Sequence, residues 1–361
     1  MSPIRILVDS FADAGLPNAQ MGNAREIVCR LDPRRFHVSM FALGPPDQRI
    51  AARQNTRLIQ LPHRRQTVRI LREFLWGPHQ LLFYMKSSPA SRWYLSLRQR
   101  WSDDRITVGT LESQLDLRNE PTIAPEAVRL WEQTVLGCDY LFSNSASVGR
   151  SLEREYGKRS DIIPTGVDTA FFMPDWSRPP NRRLQVLFVG SLRPYKQPQL
   201  LLDAAAHFPE TEFRIAGDGP LGPELKGHAG REHLSNVAFL GMLNSEELRE
   251  EYRRADIFLL PSVWEGSPKV ILEAAACGLP VVARNNYSPE AVVHGITGYQ
   301  AASGEEMFSF LKVLLANPGL RRNLGTNGRQ HSLKYDWDLI AAQWGETFMR
   351  LTRERGLKEA S

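Results

Sequence analysis

Two glutamates, Glu265 and Glu273, stand eight residues apart in a segment suited to binding a polar or anionic ligand. The apolar run 257–260 before them predicts a buried strand, and the turn-rich residues 264–268 predict the loop that follows it. A strand, a loop and a helix N-terminus in this order form an anion site at the carboxyl edge of a parallel sheet. We therefore expect Glu265 at the mouth of such a site, with Glu273 about two turns into the helix.

The helix that carries Glu273 is expected to begin where the loop ends. Ser267 is a suitable N-cap, Pro268 suits the first helical position, and residues 270–277 continue the helical pattern. Taken alone, the two glutamates are equally compatible with an ordinary βα unit that exposes both of them to solvent. The neighbouring motifs therefore decide between the two interpretations.

The order E-G-x-P-x-x-x-x-E, followed by G-x-P-V-V at 278–282, resembles a motif of the retaining nucleotide-sugar glycosyltransferases of family GT4. The resemblance implies a GT-B fold, in which two Rossmann-like, doubly wound α/β domains face a central cleft. It also implies that Glu273 binds the ribose hydroxyls of a nucleoside diphosphate sugar and that Glu265 binds hydroxyls of the donor sugar. The residues that would bring the helix N-terminus to the sugar and the diphosphate are Gly266, Ser267, Pro268 and Lys269.

A second segment, VGSLRPYK, follows a predicted strand and ends at Lys196. It resembles the G-R-L-x-x-x-K segment of the same family, whose basic residues hold the donor diphosphate. The resemblance assigns Gly190 and Lys196 to the donor, because fixed cations stabilise the charge that develops on a leaving diphosphate. Ser191 stands where the family usually has an arginine, so Arg193 is the candidate for a second cation.

Two further segments of the second half resemble glycine turns of the family. The sequence AGDGPL at 216–221 is similar to a turn that lines the nucleotide crevice, which assigns Gly217 to donor binding. The sequence FLGML at 239–243 is similar to a segment whose backbone contacts the base, which assigns Gly241 and Met242. A Gly-Asp-Gly sequence is also an ordinary turn, so the first of these similarities is weak by itself.

The first half of the chain carries fewer signals. After the first strand, Gly15 or Gly22 would let backbone amides approach the donor phosphate, although a plain loop has the same composition. Glu112 follows the predicted strand 106–111, at a place where many members of the family have a histidine near the sugar. We expect Glu112 to bind a donor or acceptor hydroxyl there, or to alter the acceptor class, as a catalytic-site residue.

The order of predicted elements indicates two domains. Strand-like and helical runs alternate through both halves, which is typical of parallel, doubly wound sheets. The proline-rich segment 172–181 is the expected boundary between an acceptor-binding domain, 1–173, and a donor-binding domain, 182–336. The resemblance implies that the helix predicted at 337–361 packs back on the first domain.

Composition is typical of a globular protein of a reducing compartment. The chain has 361 residues, 42% of them hydrophobic, and its three cysteines are far apart. Its first residues predict a strand rather than a signal peptide, so we expect a cytoplasmic protein. The histidines form no cluster, which fits the metal-independent character of the family. No cofactor is expected beyond the nucleoside diphosphate sugar.

Residues 64–105 are unusually basic, with nine Lys or Arg and three Asp or Glu, and aromatic residues are interleaved with these charges. This composition suits an anionic membrane surface, so a peripheral position on the inner face of the membrane is one expectation. A nucleic acid suits the composition less well and is not expected as a partner. An ordinary helical subdomain, with solvated arginines and core aromatics, would have the same composition.

Together these motifs predict an enzyme that moves a sugar from a UDP or GDP type donor to an acceptor hydroxyl, with retention at the anomeric carbon. The acceptor would be a saccharide, a lipid-linked molecule or a small molecule, in the synthesis of a glycan, polysaccharide or glycolipid. The alternatives are a nucleotide-sugar epimerase of GT-B fold and a non-catalytic module that binds sugar nucleotides.

Overall fold

The chain forms two compact units, and each unit contains its own parallel sheet. The first unit comprises residues 1–165 and 337–361, and the second comprises residues 166–336. No helix in the described part of the chain is long and apolar enough to cross a lipid bilayer. The computed structural model describes residues 3–14, 19–101, 103–113 and 124–356.

The first unit is built on seven strands, which are β1 (Ile4–Phe11), β2 (Phe36–Ala42), β3 (Thr56–Gln60), β4 (Leu81–Phe83), β5 (Ile106–Leu111), β6 (Tyr140–Ser143) and β7 (Asp161–Ile162). Its helices are α1 (Ala19–Arg30), α2 (Gln48–Ala52), α3 (Gln66–Trp76), α4 (Pro89–Arg98), α5 (Pro125–Thr134), α6 (Ala146–Tyr156) and, from the end of the chain, α13 (Trp337–Glu354). The strands pair in parallel in the order β3-β2-β1-β4-β5-β6-β7, which is the Rossmann order with one added strand.

The last helix, α13, supplies part of the hydrophobic core of the first unit. The ring of Trp344 lies 4.7 Å from that of Phe83 and 4.9 Å from that of Phe142, measured between centroids. Phe348, one turn further along, lies 4.8 Å from Phe83. All four side chains are buried, so the helix is fixed to the sheet by aromatic packing.

The second unit is built on six strands, which are β8 (Gln185–Val189), β9 (Glu212–Ala216), β10 (Val237–Gly241), β11 (Ile257–Leu260), β12 (Val281–Arg284) and β13 (Gly298–Ala301). Its helices are α7 (Gln199–His207), α8 (Gly222–Arg231), α9 (Ser245–Arg254), α10 (Lys269–Ala276), α11 (Gly304–Ala316) and α12 (Pro318–Ser332). The strands pair in parallel in the order β10-β9-β8-β11-β12-β13, which is the Rossmann order.

The units divide at residues 165–166, before the proline-rich segment that the sequence suggested as the boundary. In that segment Phe172 is buried against Tyr252, with ring centroids 5.9 Å apart. Arg178 forms an ion pair with Asp256 at 3.2 Å. These side chains have partners inside the second unit, so the prolines mark an irregular packed segment and not a linker.

The sequence does not predict two of the strands, β4 and β13. Strand β4 has only three residues, Leu-Leu-Phe, and lies between β1 and β5 inside the first sheet. A central strand is buried on both faces, so it shows no alternation of polar and apolar residues that could identify it. The basic composition of its surroundings favoured a helical interpretation instead.

Helix α10 begins one residue later than the sequence predicts. Pro268, and not Ser267, occupies the N-cap position, because its ψ of 110° lies outside the helical region. The carbonyl of Pro268 accepts a hydrogen bond from the backbone N–H of Ile271 at 3.1 Å. The first helical residue is therefore Lys269, and no side chain caps the helix.

Candidate functional site

The predicted donor residues gather at one edge of the second sheet. All its strands are parallel, so their carboxyl ends meet at the same edge, where ligands bind in sheets of this order. Strand β8 ends before Gly190, β9 ends before Gly217, and β10 ends at Gly241. The loop after β11 carries Glu265 and leads directly into α10. These four loops therefore lie at one common edge of the second sheet.

Lys196 and Glu265 form an ion pair at this edge, between Nζ and Oε1. Lys196 ends the short 3₁₀ helix 194–196, which follows β8. Each of the two side chains is only 12% exposed. Water therefore screens the pair less than it screens an ordinary surface pair. The two residues lie 69 positions apart in sequence, and the structure brings them into direct contact.

Backbone and aromatic contacts hold these two loops together. The backbone N–H of Val263 donates to the carbonyl of Tyr195 at 2.9 Å. The ring of Tyr195 meets that of Trp264 edge to face, with centroids 5.9 Å apart. Because the residues next to Lys196 and Glu265 contact one another, the two loops that carry the ion pair have fixed relative positions.

Arg193, the candidate second cation, has an exposed side chain in the same loop. Its backbone carbonyl accepts a hydrogen bond from the backbone N–H of Lys196 at 3.0 Å. The role of its side chain stays a prediction. Met242, at the end of β10, is also largely exposed, so its side chain can meet a ligand only at the rim of the edge.

Glu273 is half-buried on α10 and accepts a hydrogen bond from the hydroxyl of Tyr252 at Oε2, 2.9 Å away. Burial raises the pKa of the Glu273 carboxyl, while the charge of Lys269 and the bond from Tyr252 oppose that rise. Tyr252 is fully buried on α9 and fixes one of the two carboxylate oxygens. The sequence analysis missed this tyrosine, since a lone aromatic on the apolar face of a helix carries no functional signal.

The glycines of the edge have a packing reason of their own. Gly217 has φ of +127°, and a Cβ atom there would lie 2.0 Å from the carbonyl oxygen of Gly190. Its backbone N–H donates to the carbonyl of Gly241 at 2.7 Å. Three neighbouring loops thus run backbone against backbone, which only glycine permits at position 217. Their role in donor binding remains a prediction.

Two buried hydroxyl groups lie beside these loops without a hydrogen-bond partner among the described residues. They belong to Ser262, just after β11, and Tyr287, just after β12. Burial, and then the negative charge of Glu265, raise the pKa of Tyr287 well above its usual value. Buried polar groups normally have partners, so these two are candidates to meet a ligand. Neither was among the predicted site residues.

Glu112 lies at the carboxyl edge of the other sheet, in the first unit. Its Oε1 accepts hydrogen bonds from Asn23 Nδ2 at 3.0 Å and from the hydroxyl of Tyr84. Asn144 Nδ2 donates to the backbone carbonyl of Glu112 at 3.2 Å. These residues line a cavity of about 20 Å³, which is room for roughly one water molecule. Sequence analysis found Glu112 but not the side chains that hold it.

Tyr84 has an unusual backbone conformation for its place at the end of β4. Its φ is +62°, in the left-handed region that residues other than glycine rarely adopt. Burial and the neighbouring Glu112 carboxylate raise the pKa of its hydroxyl. Buried residues with a strained backbone are frequent at functional sites. The conformation of Tyr84 therefore marks the carboxyl ends of these strands as a candidate site.

The remaining predictions concern glycines of the first unit and a metal. Gly22 lies in the first turn of α1, whereas Gly15 lies outside the described residues. Among the described residues, no group of three or more His, Cys, Asp or Glu side chains is placed to hold a metal ion.

Two units of Rossmann strand order, one with a lysine and two glutamates at its carboxyl edge, define the GT-B class of α/β folds. Solved structures agree. Sucrose-phosphate synthase of Thermosynechococcus elongatus matches with a TM-score of 0.80 at 21% identity, over 98% of this chain and 100% of that one. HepE of Anabaena in complex with UDP and glucose matches with a TM-score of 0.75 at 18% identity, over 96% and 99% of the two chains. The predicted fold class is confirmed.

Residues 173–331 match the family model described as glycosyl transferases group 1. A D-inositol 3-phosphate glycosyltransferase of Geodermatophilus obscurus is 32% identical over 233 residues, which are 57% of this chain and 51% of that protein. The family match and this relative agree with the GT4 resemblance of the sequence. This chain spans about half the length of that curated relative.

Proposed function

We propose that this protein transfers a glycosyl group from a nucleoside diphosphate sugar to an acceptor hydroxyl. One observation carries the proposal, which is the placement of Lys196, Glu265 and Glu273 at the carboxyl edge of the second sheet. An ammonium suits a diphosphate, and carboxylates suit the hydroxyls of a ribose and of a sugar. The match of residues 173–331 to the group 1 glycosyltransferases supports the same class of reaction.

In this proposal each group acts on one part of the donor. Glu273 accepts hydrogen bonds from the ribose hydroxyls through the oxygen that Tyr252 leaves accessible. Lys196 stabilises the negative charge that grows on the diphosphate as its bond to the sugar breaks. Glu265 accepts hydrogen bonds from the sugar hydroxyls and so orients the anomeric carbon.

We propose transfer with retention at the anomeric carbon, on the family resemblance. The acceptor oxygen forms a bond to the anomeric carbon on the face from which the diphosphate departs. The bond between that carbon and the phosphate oxygen breaks, and the departing oxygen takes the acceptor proton. No protein general base is required, and Glu112 would bind a hydroxyl without taking its proton.

UDP is the first donor nucleotide to test, because HepE, a protein of the same fold, binds UDP and glucose. A thermal-shift panel of UDP, GDP and ADP would identify the nucleotide. A ligand at one hundred times its dissociation constant raises the unfolding free energy by about 2.7 kcal/mol. We expect one nucleotide to stabilise the wild type and the control Glu210→Ala, an exposed glutamate of the same unit, but not Glu273→Ala.

The panel and a product assay also separate the alternatives. A new glycoside formed from the stabilising donor supports transfer. Free nucleotide with no new glycoside would favour a nucleotide-sugar epimerase, and binding with no turnover would favour a non-catalytic module. No shift with any nucleotide would contradict the proposal.

The acceptor is proposed from weaker observations. The curated relative is named for D-inositol 3-phosphate, so a polyol phosphate is the first acceptor to test. Saccharides and lipid-linked acceptors follow, for a role in the synthesis of a glycan, polysaccharide or glycolipid. Mass analysis of products from each acceptor class, with one donor held constant, would distinguish them.

We further propose that the first unit binds an anionic membrane surface on the inner face of the membrane. On α3 the exposed residues Val68, Arg72 and Trp76 follow Arg65 at helical spacing and therefore share a face. Exposed basic and aromatic residues also occur in and after α4, and we name all of these residues together the basic-aromatic set. Its members are Arg65, Val68, Arg72, Trp76, Arg92, Trp93, Arg100 and Trp101.

Exposed tryptophans beside arginines are the side chains that proteins place at a lipid headgroup layer. The other aromatics of this region behave differently, since Phe74 and Tyr94 are buried and pack together with centroids 5.6 Å apart. The helical subdomain thus has an ordinary core, and the three tryptophans are left outside it.

Co-sedimentation with vesicles tests the membrane proposal. Vesicles with phosphatidylglycerol should bind the protein at low salt, and pure phosphatidylcholine vesicles should not. The double substitution Trp76→Ala and Trp93→Ala should weaken vesicle binding at least about fivefold. The reason is that losing the buried surface of two indole rings costs roughly 1 kcal/mol or more of binding free energy. A control with Val313→Ala and Leu339→Ala, exposed apolar residues elsewhere, should leave it unchanged. No binding, or tighter binding to an oligonucleotide, would contradict it.

A further inference from the structure

The ion pair between Lys196 and Glu265 joins two groups that the proposed function assigns to different parts of the donor. Lys196 is assigned to the diphosphate and Glu265 to the sugar. In this structure each is the other's partner, and both side chains are mostly withdrawn from water. A ligand that uses Lys196 therefore changes the surroundings of Glu265 as well.

A released nucleoside diphosphate and the intact donor both draw Lys196 away from Glu265, but only the intact donor replaces the lost partner. The nucleoside diphosphate draws Lys196 towards its phosphates and brings further negative charge near Glu265. Within the described part of the chain, Lys196 is the cation with which Glu265 forms an ion pair. The carboxylate thus loses its partner and gains none, which is unfavourable for a group this little exposed.

The intact donor compensates for the same change. Its sugar hydroxyls donate hydrogen bonds to Glu265, so the carboxylate exchanges an ammonium for two hydroxyl donors. The donor also carries one negative charge fewer than the free nucleoside diphosphate, because one phosphate oxygen is bonded to the sugar. Glu265 therefore penalises the product more than it penalises the substrate.

We infer that Glu265, through its ion pair with Lys196, is a specificity-determining residue that favours the sugar-bearing donor over the nucleoside diphosphate released after transfer. The inference rests on the proposed function, since it takes that donor as the ligand. It gives Glu265 a second role beside holding the sugar, which is to weaken binding of the product and so limit product inhibition.

The inference makes a prediction that a sugar-holding role alone does not make. Glu265→Gln should tighten the binding of UDP about tenfold, because Lys196 is released from its pair and one negative charge is removed. The same substitution should weaken the binding of UDP-glucose. Calorimetric dissociation constants for both ligands, measured at constant salt, give the two changes directly. If the thermal-shift panel selects GDP, GDP and GDP-mannose replace them.

Two further variants separate the ion pair from simple charge repulsion. In a Lys196→Met background, Glu265→Gln should tighten UDP binding much less than tenfold, because no ion pair remains to be broken. Glu246→Gln removes an exposed negative charge from the same unit and should leave both dissociation constants unchanged.

The outcomes distinguish this inference from the proposed function. If the wild type binds UDP but Glu265→Gln binds it equally or more weakly, the inference is wrong and the proposed function stands. An equal gain in the Lys196→Met background would also overturn it, because repulsion alone would then explain the effect. If no nucleoside diphosphate binds the wild type, both the inference and the proposed function fail.

Discussion

The carboxyl edges of the two sheets share a strand order and differ in their side chains. In the first unit, Glu112 is held by Asn23 and Tyr84 around a cavity of about one water. In the second unit, Glu265 is paired with the cation Lys196, and buried hydroxyls nearby have no partner in the described part of the chain. In the proposed function, the first edge binds a neutral, hydroxylated ligand and the second binds an anion. Two sheets of the same strand order would then bind different ligands because their loop residues differ.

The largest expected effect tests whether the anion site lies at the second edge. Lys196→Met should lower the turnover of the sugar donor by at least about a hundredfold, because a fixed cation at a leaving diphosphate stabilises the transition state. The measurement is donor consumption under saturating acceptor. Lys312→Met, an exposed lysine of the same unit, is the matched control and should keep its activity. If Lys196→Met keeps its turnover, Lys196 does not stabilise the leaving diphosphate, and the second edge is not distinguished from the first as an anion site.

A smaller effect should separate the edges by ligand. Glu112→Gln should lower kcat/KM for the acceptor about tenfold, the size of one charge-assisted hydrogen bond, and leave the dissociation constant of the nucleotide unchanged. Steady-state kinetics with each substrate varied in turn give both numbers. A change in nucleotide affinity, with acceptor kinetics intact, would assign Glu112 to the donor instead.

The network around Glu112 should also be visible in stability. Tyr84→Phe removes a hydrogen bond to a carboxylate in buried surroundings, so the unfolding free energy should fall by about 1–3 kcal/mol. Tyr299→Phe is a suitable control, because its ring stacks on Phe310 at 4.3 Å between centroids and keeps that packing without the hydroxyl. Urea unfolding of the two variants compares them, and equal stabilities would argue against a tight network.

The smallest effect concerns the cost of burying Glu273. Burial raises the folded-state pKa of this carboxyl above its unfolded value. Ionising the carboxyl therefore destabilises the folded state, and the unfolding free energy falls as pH rises from the unfolded-state pKa through the folded-state pKa. Glu273→Gln should therefore be more stable than the wild type near pH 7. The difference should vanish below the usual pKa of a glutamate. Thermal melts between pH 4 and pH 8 follow it, and a difference independent of pH would contradict the assignment.

Local patterns in the sequence predicted the second edge well. A strand, a turn and a helix around Glu265 are encoded by neighbouring residues, and the periodicity that predicts them is local. The N-cap was misplaced by one residue because Ser267 and Pro268 both satisfy the local rules. Strand β4 was missed because three apolar residues carry no periodicity.

The contacts that give the site its chemistry could not be predicted in the same way. Lys196 and Glu265 meet only because β8 and β11 are neighbours in the sheet, which their sequences do not state. Tyr252 was hidden for a similar reason, since its partner Glu273 lies on a different helix. Residue types were readable from the sequence, whereas their pairings depend on topology.

The path of the chain through the first unit has a consequence for synthesis on the ribosome. The second unit is one continuous stretch, 166–336, whereas the first needs α13 to cover Phe83 and Phe142. Those rings have no aromatic partner from α13 until residues 337–354 emerge. The N-terminal half must therefore wait, with part of its core open, while the later half folds. The second unit, which is translated later, can therefore complete its core before the first unit does.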